Sequence, residues 1–294
     1  MSLWSDIAIQ ISASINTIFK VEKISSISGG CINQAYCIED SKHSFFVKLN
    51  KTKSLSMFEA EATGLQEIKN SHSLRVPTPI CWGRNETNSW LVLEYIEMDF
   101  ITKNGSAVLG IGLAEMHRIS FEKFGWMQNN TIGSTPQINN FSLDWMQFWR
   151  EHRLGYQLQL AKTNGYTGRL LKQGEYLMAE LEAFFPEIPQ VASLLHGDLW
   201  NGNYSYDLAG CPVLYDPAIY YGDRETDLAM TELFGGFSAT FYAAYSEAYP
   251  LDPGYKTRKT LYNLYHILNH LNLFGGSYLN QAEDMIEKLL TEIH

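Results

Sequence analysis

Apolar residues at Leu3, Trp4, Ile7, Ile11, Ile15 and Ile18 recur at the period of one helix face, which predicts a first helix over residues 3–19. The period then shortens to two. Strands are expected over 21–28, 31–39 and Ser44–Leu49, with Asp40-Ser41-Lys42-His43 as a polar turn. A second helix is expected from Ser56 to about residue 69, opened by the capping box Ser56-Met57-Phe58-Glu59 and stopped by Asn70, Pro77 and Pro79. Two more strands follow, Ile80–Arg84 and Ser89–Ile96, joined by Asn85-Glu86-Thr87-Asn88. Near Glu97-Met98-Asp99 the pattern turns helical, with helices expected over 106–119, 141–160, 168–184, 225–248 and two stretches after 256, and a short strand Pro212–Tyr215. The pattern describes an α+β chain: a small antiparallel-sheet lobe, residues 1–97, and a larger, mainly helical lobe, residues 98–294.

With 294 residues the chain is long enough for two packed cores. Its composition, 45% hydrophobic and 18% charged, is that of a globular protein without disordered tracts. A net charge of −10 argues against a nucleic-acid-binding surface and against docking on anionic lipid. No apolar run approaches the roughly 20 residues that span a bilayer, and the Met-Ser-Leu-Trp-Ser-Asp start has no basic-then-apolar leader. The four cysteines, Cys31, Cys37, Cys81 and Cys211, have neither metal-ligand spacing nor the number for a disulfide framework, which fits a reduced cytoplasm. Nothing in the sequence sets an oligomeric state.

Chemistry concentrates in His196-Gly197-Asp198-Leu199-Trp200-Asn201-Gly202-Asn203. An aspartate with an asparagine five positions later is the spacing of a phosphoryl-transfer loop, where Asp198 takes the proton of an attacking hydroxyl and Asn203 holds Mg²⁺. The spacing alone is common, so the other parts of such a site matter. Asp216 follows a short strand thirteen positions after Asn203 and can share the cation; a turn aspartate before proline is the plain alternative. Gly29 and Gly30 lie between two strands, where backbone N–H groups could approach phosphates, although two glycines in a hairpin are more often just a turn. Lys48, among Phe45, Phe46 and Val47, needs a partner for its charge. Glu59 and Glu61 compete for it; the capping box occupies Glu59, and small neighbours let the helix pack closely at Glu61. Backbone groups near Glu94 and Ile96 are placed to hold a nucleotide base. Trp200 offers a flat apolar face beside Asp198 for a sugar ring, with packing as its alternative, whereas Trp145 reads as core. His196 reads as structural, Asp227 as a partner of the catalytic-loop backbone, and the His266/His270 pair as lacking a third zinc ligand. Cys31, in the glycine loop, is either an oxidisable thiol or an inert small residue.

Three blocks give these parts a family resemblance. They are Gly29-Gly30-Cys31-Ile32-Asn33 with Phe46-Val47-Lys48 and Met57-Phe58-Glu59-Ala60-Glu61; then Ile132-Gly133-Ser134-Thr135-Pro136-Gln137 with Asp144-Trp145 and Arg153-Leu154; then the loop at 196–203 with Tyr215-Asp216-Pro217-Ala218 and Tyr221-Gly222-Asp223-Arg224-Glu225. The chain resembles the fructosamine kinase (ketosamine-3-kinase) family, within the aminoglycoside- and choline-kinase-like enzymes. The resemblance implies a protein-kinase-like fold with ATP and Mg²⁺. It implies transfer of the γ-phosphate to the 3-hydroxyl of a ketosamine, small or protein-borne, leading to deglycation. In its terms Asp198 is the base, Asn203 and Asp216 are the metal ligands, and Lys48 contacts phosphate. Rival readings are a kinase of the same fold for an aminoglycoside, choline or another alcohol, and a nucleotide-binding pseudokinase, against which the intact Lys48, Asp198, Asn203 and Asp216 argue.

Overall fold

The structure, a computed structural model, describes residues 2–28, 32–99, 105–185 and 190–293. Gly29, Gly30 and Cys31 lie outside the described residues. The chain divides into two compact units. One joins Met1–Gly105 to Ser205–Pro217; the other joins Ser106–Tyr204 to Ala218–His294.

The first unit opens with helix α1 (Leu3–Ile15), whose N-cap Ser2 accepts the Ser5 N–H and which stops where Asn16 turns left-handed at φ 53°. Strands β1 (Lys23–Ile27), β2 (Gln34–Glu39) and β3 (Ser44–Lys51) follow, then helix α2 (Leu55–Asn70) and strands β4 (Pro79–Arg84), β5 (Asn88–Glu94) and β6 (Met98–Asp99). The first five strands form one antiparallel sheet in the order β1-β2-β3-β5-β4. Alternation along β3 decides the two faces of this sheet. Phe45, Val47 and Leu49 join Ile7, Ile11, Phe19, Trp90 and Val92 in a core under α1. Lys48, on the opposite face, is also buried.

One expectation fails here. Helix α2 grows out of a 3-10 turn at Thr52–Ser54, and Ser54 makes no side-chain capping bond. The tight turn leads the chain straight into the helix, so Ser56 and Glu59 lie inside it and form no capping box.

The second unit begins with α3 (Ser106–Arg118), β7 (Ser120–Phe121) and the hairpin β8 (Asn130–Ile132)–β9 (Thr135–Gln137). Helix α4 (Trp145–Trp149) passes through a π-helical turn, Arg150–Leu154, into α5 (Gly155–Thr163). It starts at Trp145, later than the pattern suggested, because Asp144 caps the Gln147 N–H at 2.9 Å. Glycine is needed at 155, where a Cβ would lie 2.3 Å from the Arg150 carbonyl oxygen brought near by the wide turn. After α6 (Arg169–Ala179) comes β10 (Ala192–Leu195), which delivers the 196–203 loop.

The hairpin β11 (Tyr204–Asp207)–β12 (Pro212–Leu214) pairs with β6, and its Ser205–Pro217 stretch belongs to the first unit. In the second unit, β13 (Tyr220–Gly222) completes the sheet β13-β10-β7. Helices α7 (Glu225–Leu233), α8 (Ala239–Ala248), α9 (Tyr255–Phe274) and α10 (Tyr278–Glu292) close the fold. The single helix expected over 225–248 is broken in two, because Gly235 and Gly236 both take positive φ, 95° and 72°.

Candidate active site

In the first unit, β3 and α2 bring Lys48 and Glu61 together. Lys48 Nζ donates to Glu61 Oε1 at 2.5 Å and to Asp216 Oδ1 at 2.6 Å. Glu61 is thus the partner, and Glu59 is not. Burial alone would pull the Lys48 ammonium down, but the Asp216 and Glu61 charges reverse this and hold it above its ordinary range. Burial, aided by the Asp216 charge, raises the Glu61 carboxyl against the attraction of Lys48. Asp216 follows β12 and sits in the left-handed region at φ 57°, which aspartate tolerates better than most residues. Its side chain is half exposed, and its Oδ2 carries no hydrogen bond from the described residues.

At the end of β5, the Glu94 N–H donates to the Thr78 carbonyl at 2.8 Å. The Glu94 carboxylate accepts from Arg75 Nη2 at 2.9 Å and from the Thr78 N–H and hydroxyl. The Ile96 N–H makes no backbone hydrogen bond among the described residues. Arg75, which the sequence pattern did not single out, also binds Asp207 through Nη1, and its carbonyl accepts the Leu214 N–H at 2.9 Å. It therefore ties the end of β5 to the hairpin that carries Asp216. Its partners are remote in sequence, so no local signal marks it.

In the second unit, β10 leads into a loop held mainly through its backbone. Asp227 Oδ2 accepts the His196 N–H at 2.7 Å and its Oδ1 accepts the Gly197 N–H at 2.8 Å, the partnership expected for it. Burial opposes ionisation of Asp227, but donation from His117 and Gly197 holds its carboxyl below the usual range. His196 is fully buried; its carbonyl accepts the Ala218 N–H at 2.8 Å and its Nδ1 accepts the Asp198 N–H at 3.3 Å. Gly197 has φ 81°, and a Cβ there would lie 2.1 Å from the Ala218 carbonyl oxygen. Only glycine allows this approach.

Asn203 Nδ2 donates to the Asp198 carbonyl at 2.8 Å and to Asp198 Oδ2 at 3.1 Å. Two acceptors on one side fix the orientation of the amide, so Asn203 Oδ1 faces elsewhere. Trp200 is 38% exposed, its ring lying over Gly202 and edge-on to Phe234 at 6.1 Å. Asn201 Nδ2 donates to the Phe234 and Gly236 carbonyls, both at 3.2 Å, fastening the break between α7 and α8 to this loop. Trp145 is core, as expected. His266 is buried on α9, and burial, with the neighbouring His270 adding, lowers its pKa to about 3.

The structure is similar to solved kinases. It superposes on a candidate fructosamine-3-kinase of Haemophilus somnus 129PT with a TM-score of 0.90 at 28% identity, covering 98% of this chain and 100% of that one. A thermostable mutant of the aminoglycoside phosphotransferase APH(4)-Ia, solved with ADP and hygromycin B, superposes with a TM-score of 0.66 at 14% identity over 99% and 98% of the two chains, a likeness of fold alone. The fold class is therefore the protein-kinase-like α+β fold. Among curated proteins, the chain is 45% identical to a probable ketoamine kinase of Synechocystis, over 98% of this chain and 97% of that protein. It is 42% identical to the chloroplastic protein-ribulosamine 3-kinase of Oryza sativa subsp. japonica, over 92% of this chain and 80% of that protein. The description of the fructosamine kinase family matches residues 3–292, and the chain belongs to that family.

Proposed function

We propose that this chain is an ATP-dependent kinase that phosphorylates the 3-hydroxyl of ketosamines, the adducts of sugars on amines and on protein lysines. The 3-phosphate then eliminates and frees the amine, which makes the reaction a deglycation step. The observation that carries the reading is the buried Lys48 ammonium, held by Glu61 and Asp216 within 2.6 Å in a chain of this family. A buried cation with two carboxylate partners is a prepared site for exchange of one partner against phosphate oxygens.

The roles follow from the chemistry of each group. Asp198 accepts the proton of the attacking hydroxyl, its carboxylate oriented by the Asn203 amide. Lys48 contacts the nucleotide phosphates and Glu61 keeps it aimed; the phosphate role expected for Gly29 and Gly30 falls outside the described residues. The base contacts backbone at Glu94 and Ile96, where the Ile96 N–H is available. Trp200 supports the sugar or its chain. The two residues proposed to hold Mg²⁺ each offer a hard oxygen: Asn203 Oδ1 in the second unit, and Asp216 Oδ2 in the first, are without hydrogen bonds from the described residues. Mg²⁺ held by such ligands would neutralise charge on the phosphates. No helix among the described residues is long and apolar enough to cross a membrane, and we assign the activity to a reduced cytoplasm.

ADP release with Mg-ATP and ribulose-lysine or fructose-lysine tests the reading, beside an Asp198→Asn variant and an aminoglycoside control. Turnover with the ketosamine alone, lowered roughly 10²–10⁴-fold in the variant, is the expected result. Activity on another alcohol only would discard the deglycation role. ATP binding without any turnover would replace the kinase with a nucleotide-binding module.

A further inference from the structure

The block Ile132–Gln137 has no part in the roles above, yet its last residue reaches the catalytic loop. Gln137 is buried at the end of β9. Its Nε2 donates to the Ala218 carbonyl at 3.0 Å and to Asn130 Oδ1 at 2.8 Å, while its Oε1 accepts the Tyr265 hydroxyl at 2.8 Å. Asn130 Nδ2 in turn donates to the Ile219 carbonyl at 2.8 Å. Asn130, across the hairpin from Gln137, thus holds the next carbonyl of the same backbone segment.

That segment is the other wall of the Asp198 loop. The Ala218 N–H donates to His196, and the Ala218 carbonyl lies so close to Gly197 that a Cβ would meet it at 2.1 Å. Asp227 fixes the N–H groups of His196 and Gly197. The opposite side of the same two residues rests on Ala218, and Ala218 rests on Gln137. The Tyr265 hydroxyl donates to Gln137 Oε1, so Nε2 is the end that faces the two acceptors. A close-packed contact with no spare volume transmits displacement rather than absorbing it.

We propose that Gln137 is a positioning residue for phosphoryl transfer, acting through Ala218 on the His196-Gly197-Asp198 backbone and so on the placement of the Asp198 carboxylate. The proposal rests on the reading of Asp198 as the base. Gln137 touches neither nucleotide nor acceptor in this account; its effect falls on kcat.

The test uses the full chain with Gln137→Leu, Tyr265→Phe and, as a stability control, Thr231→Val, which removes a buried hydroxyl bonded to the Leu228 carbonyl. Steady-state kinetics with Mg-ATP and a ketosamine are measured beside hydrogen exchange of the peptide covering 193–200. Gln137→Leu is expected to lower kcat about 10-fold or more with KM for ATP within about twofold of the parent, and to speed exchange through 193–200. Thr231→Val is expected to lose stability while keeping kcat and that exchange. An unchanged kcat in folded Gln137→Leu, or a loss of kcat with unaltered exchange, overturns the proposal. Should Gln137→Leu not fold, Tyr265→Phe decides: roughly a threefold loss of kcat with faster exchange supports the proposal, and parental behaviour overturns it. If the parent fails to turn over ketosamine at all, the functional reading falls, and the exchange comparison alone then decides the link from Gln137 to the loop.

Discussion

A single ammonium shared by two carboxylates is the most consequential contact at the scale of residues. Glu61 is nearly as buried as Lys48, whereas the Asp216 side chain is half exposed. The Glu61 bond is therefore the more costly to break, because water can take over at Asp216 and cannot at Glu61. Lys48→Met removes the charge while keeping the length of the side chain. We expect kcat/KM for ATP to fall about 10²–10³-fold, the usual effect of losing one preorganised electrostatic contact; ADP release within about tenfold of the parent would contradict a phosphate role. A second residue-scale prediction concerns Gly197. Alanine there must adopt φ 81° and place its Cβ 2.1 Å from backbone oxygen. Gly197→Ala should cost about 2 kcal/mol or more in urea unfolding. A loss below about 0.5 kcal/mol would mean that the loop relaxes easily.

Helices α7 and α9 are joined by charge as well as by packing. Arg258 on α9 donates through Nε and Nη2 to both carboxylate oxygens of Glu225 on α7, at 2.7 and 2.9 Å, and through Nη2 to Asp252 at 2.8 Å. Tyr262, one turn further on, donates to Asp223 at 2.5 Å. Arg258→Met strands the Glu225 carboxylate in a buried setting and should cost about 3–5 kcal/mol. Adding Glu225→Gln should recover part of that loss, because no buried charge is then left unpaired; a double-mutant cycle with no coupling would refute the pairing argument.

The element scale also shows what a sequence makes legible. Lys48 among Phe45, Phe46 and Val47 signalled a cation in need of a partner, and the structure gives it Glu61 and Asp216. The small residues around Glu61 anticipated the close packing of α2, where Ala60, Ala62 and Gly64 are buried. Spacing, taken with the other parts of the site, singled out Asp198 and Asn203, which the structure joins by hydrogen bonds. Other signals were misread. Gly235-Gly236 is itself a breaker pair, outweighed by the helical pattern on both sides of it, and the false capping box satisfied a local rule that the preceding 3-10 turn overrode. Arg75 and Gln137 act on partners 132 and 81 positions away. Periodicity reads neighbours in sequence, and side chains that bridge distant segments lie beyond its reach.

Over the whole molecule, buried histidines set the response to acid. His266 has a folded-state pKa of about 3, lowered by burial and then by His270, and burial also lowers His117 and His270. An unfolded histidine titrates near 6.5. Between these values the unfolded chain binds the proton and the folded chain does not, so the contribution of His266 is complete above pH 6.5. It is lost as pH falls toward 3, at about 1.4 kcal/mol per pH unit. Glu225 works in the opposite sense. Burial, opposed by the Arg258 hydrogen bonds and aided by the Asp223 charge, pushes its pKa up to about 7, so its folded form holds a proton that the unfolded chain releases above the usual carboxylate range, and acid favours folding there. The net slope is therefore shallower than the histidines alone would give. Comparing variants removes this offset. In His266→Gln the decline in unfolding free energy from pH 7 to pH 5 should be smaller than in the parent by about 2 kcal/mol, whatever the absolute stabilities. Urea unfolding at the two pH values measures it. An identical decline in both proteins would mean that His266 takes up its proton without unfolding, through an opening of α9 that the packed state does not contain.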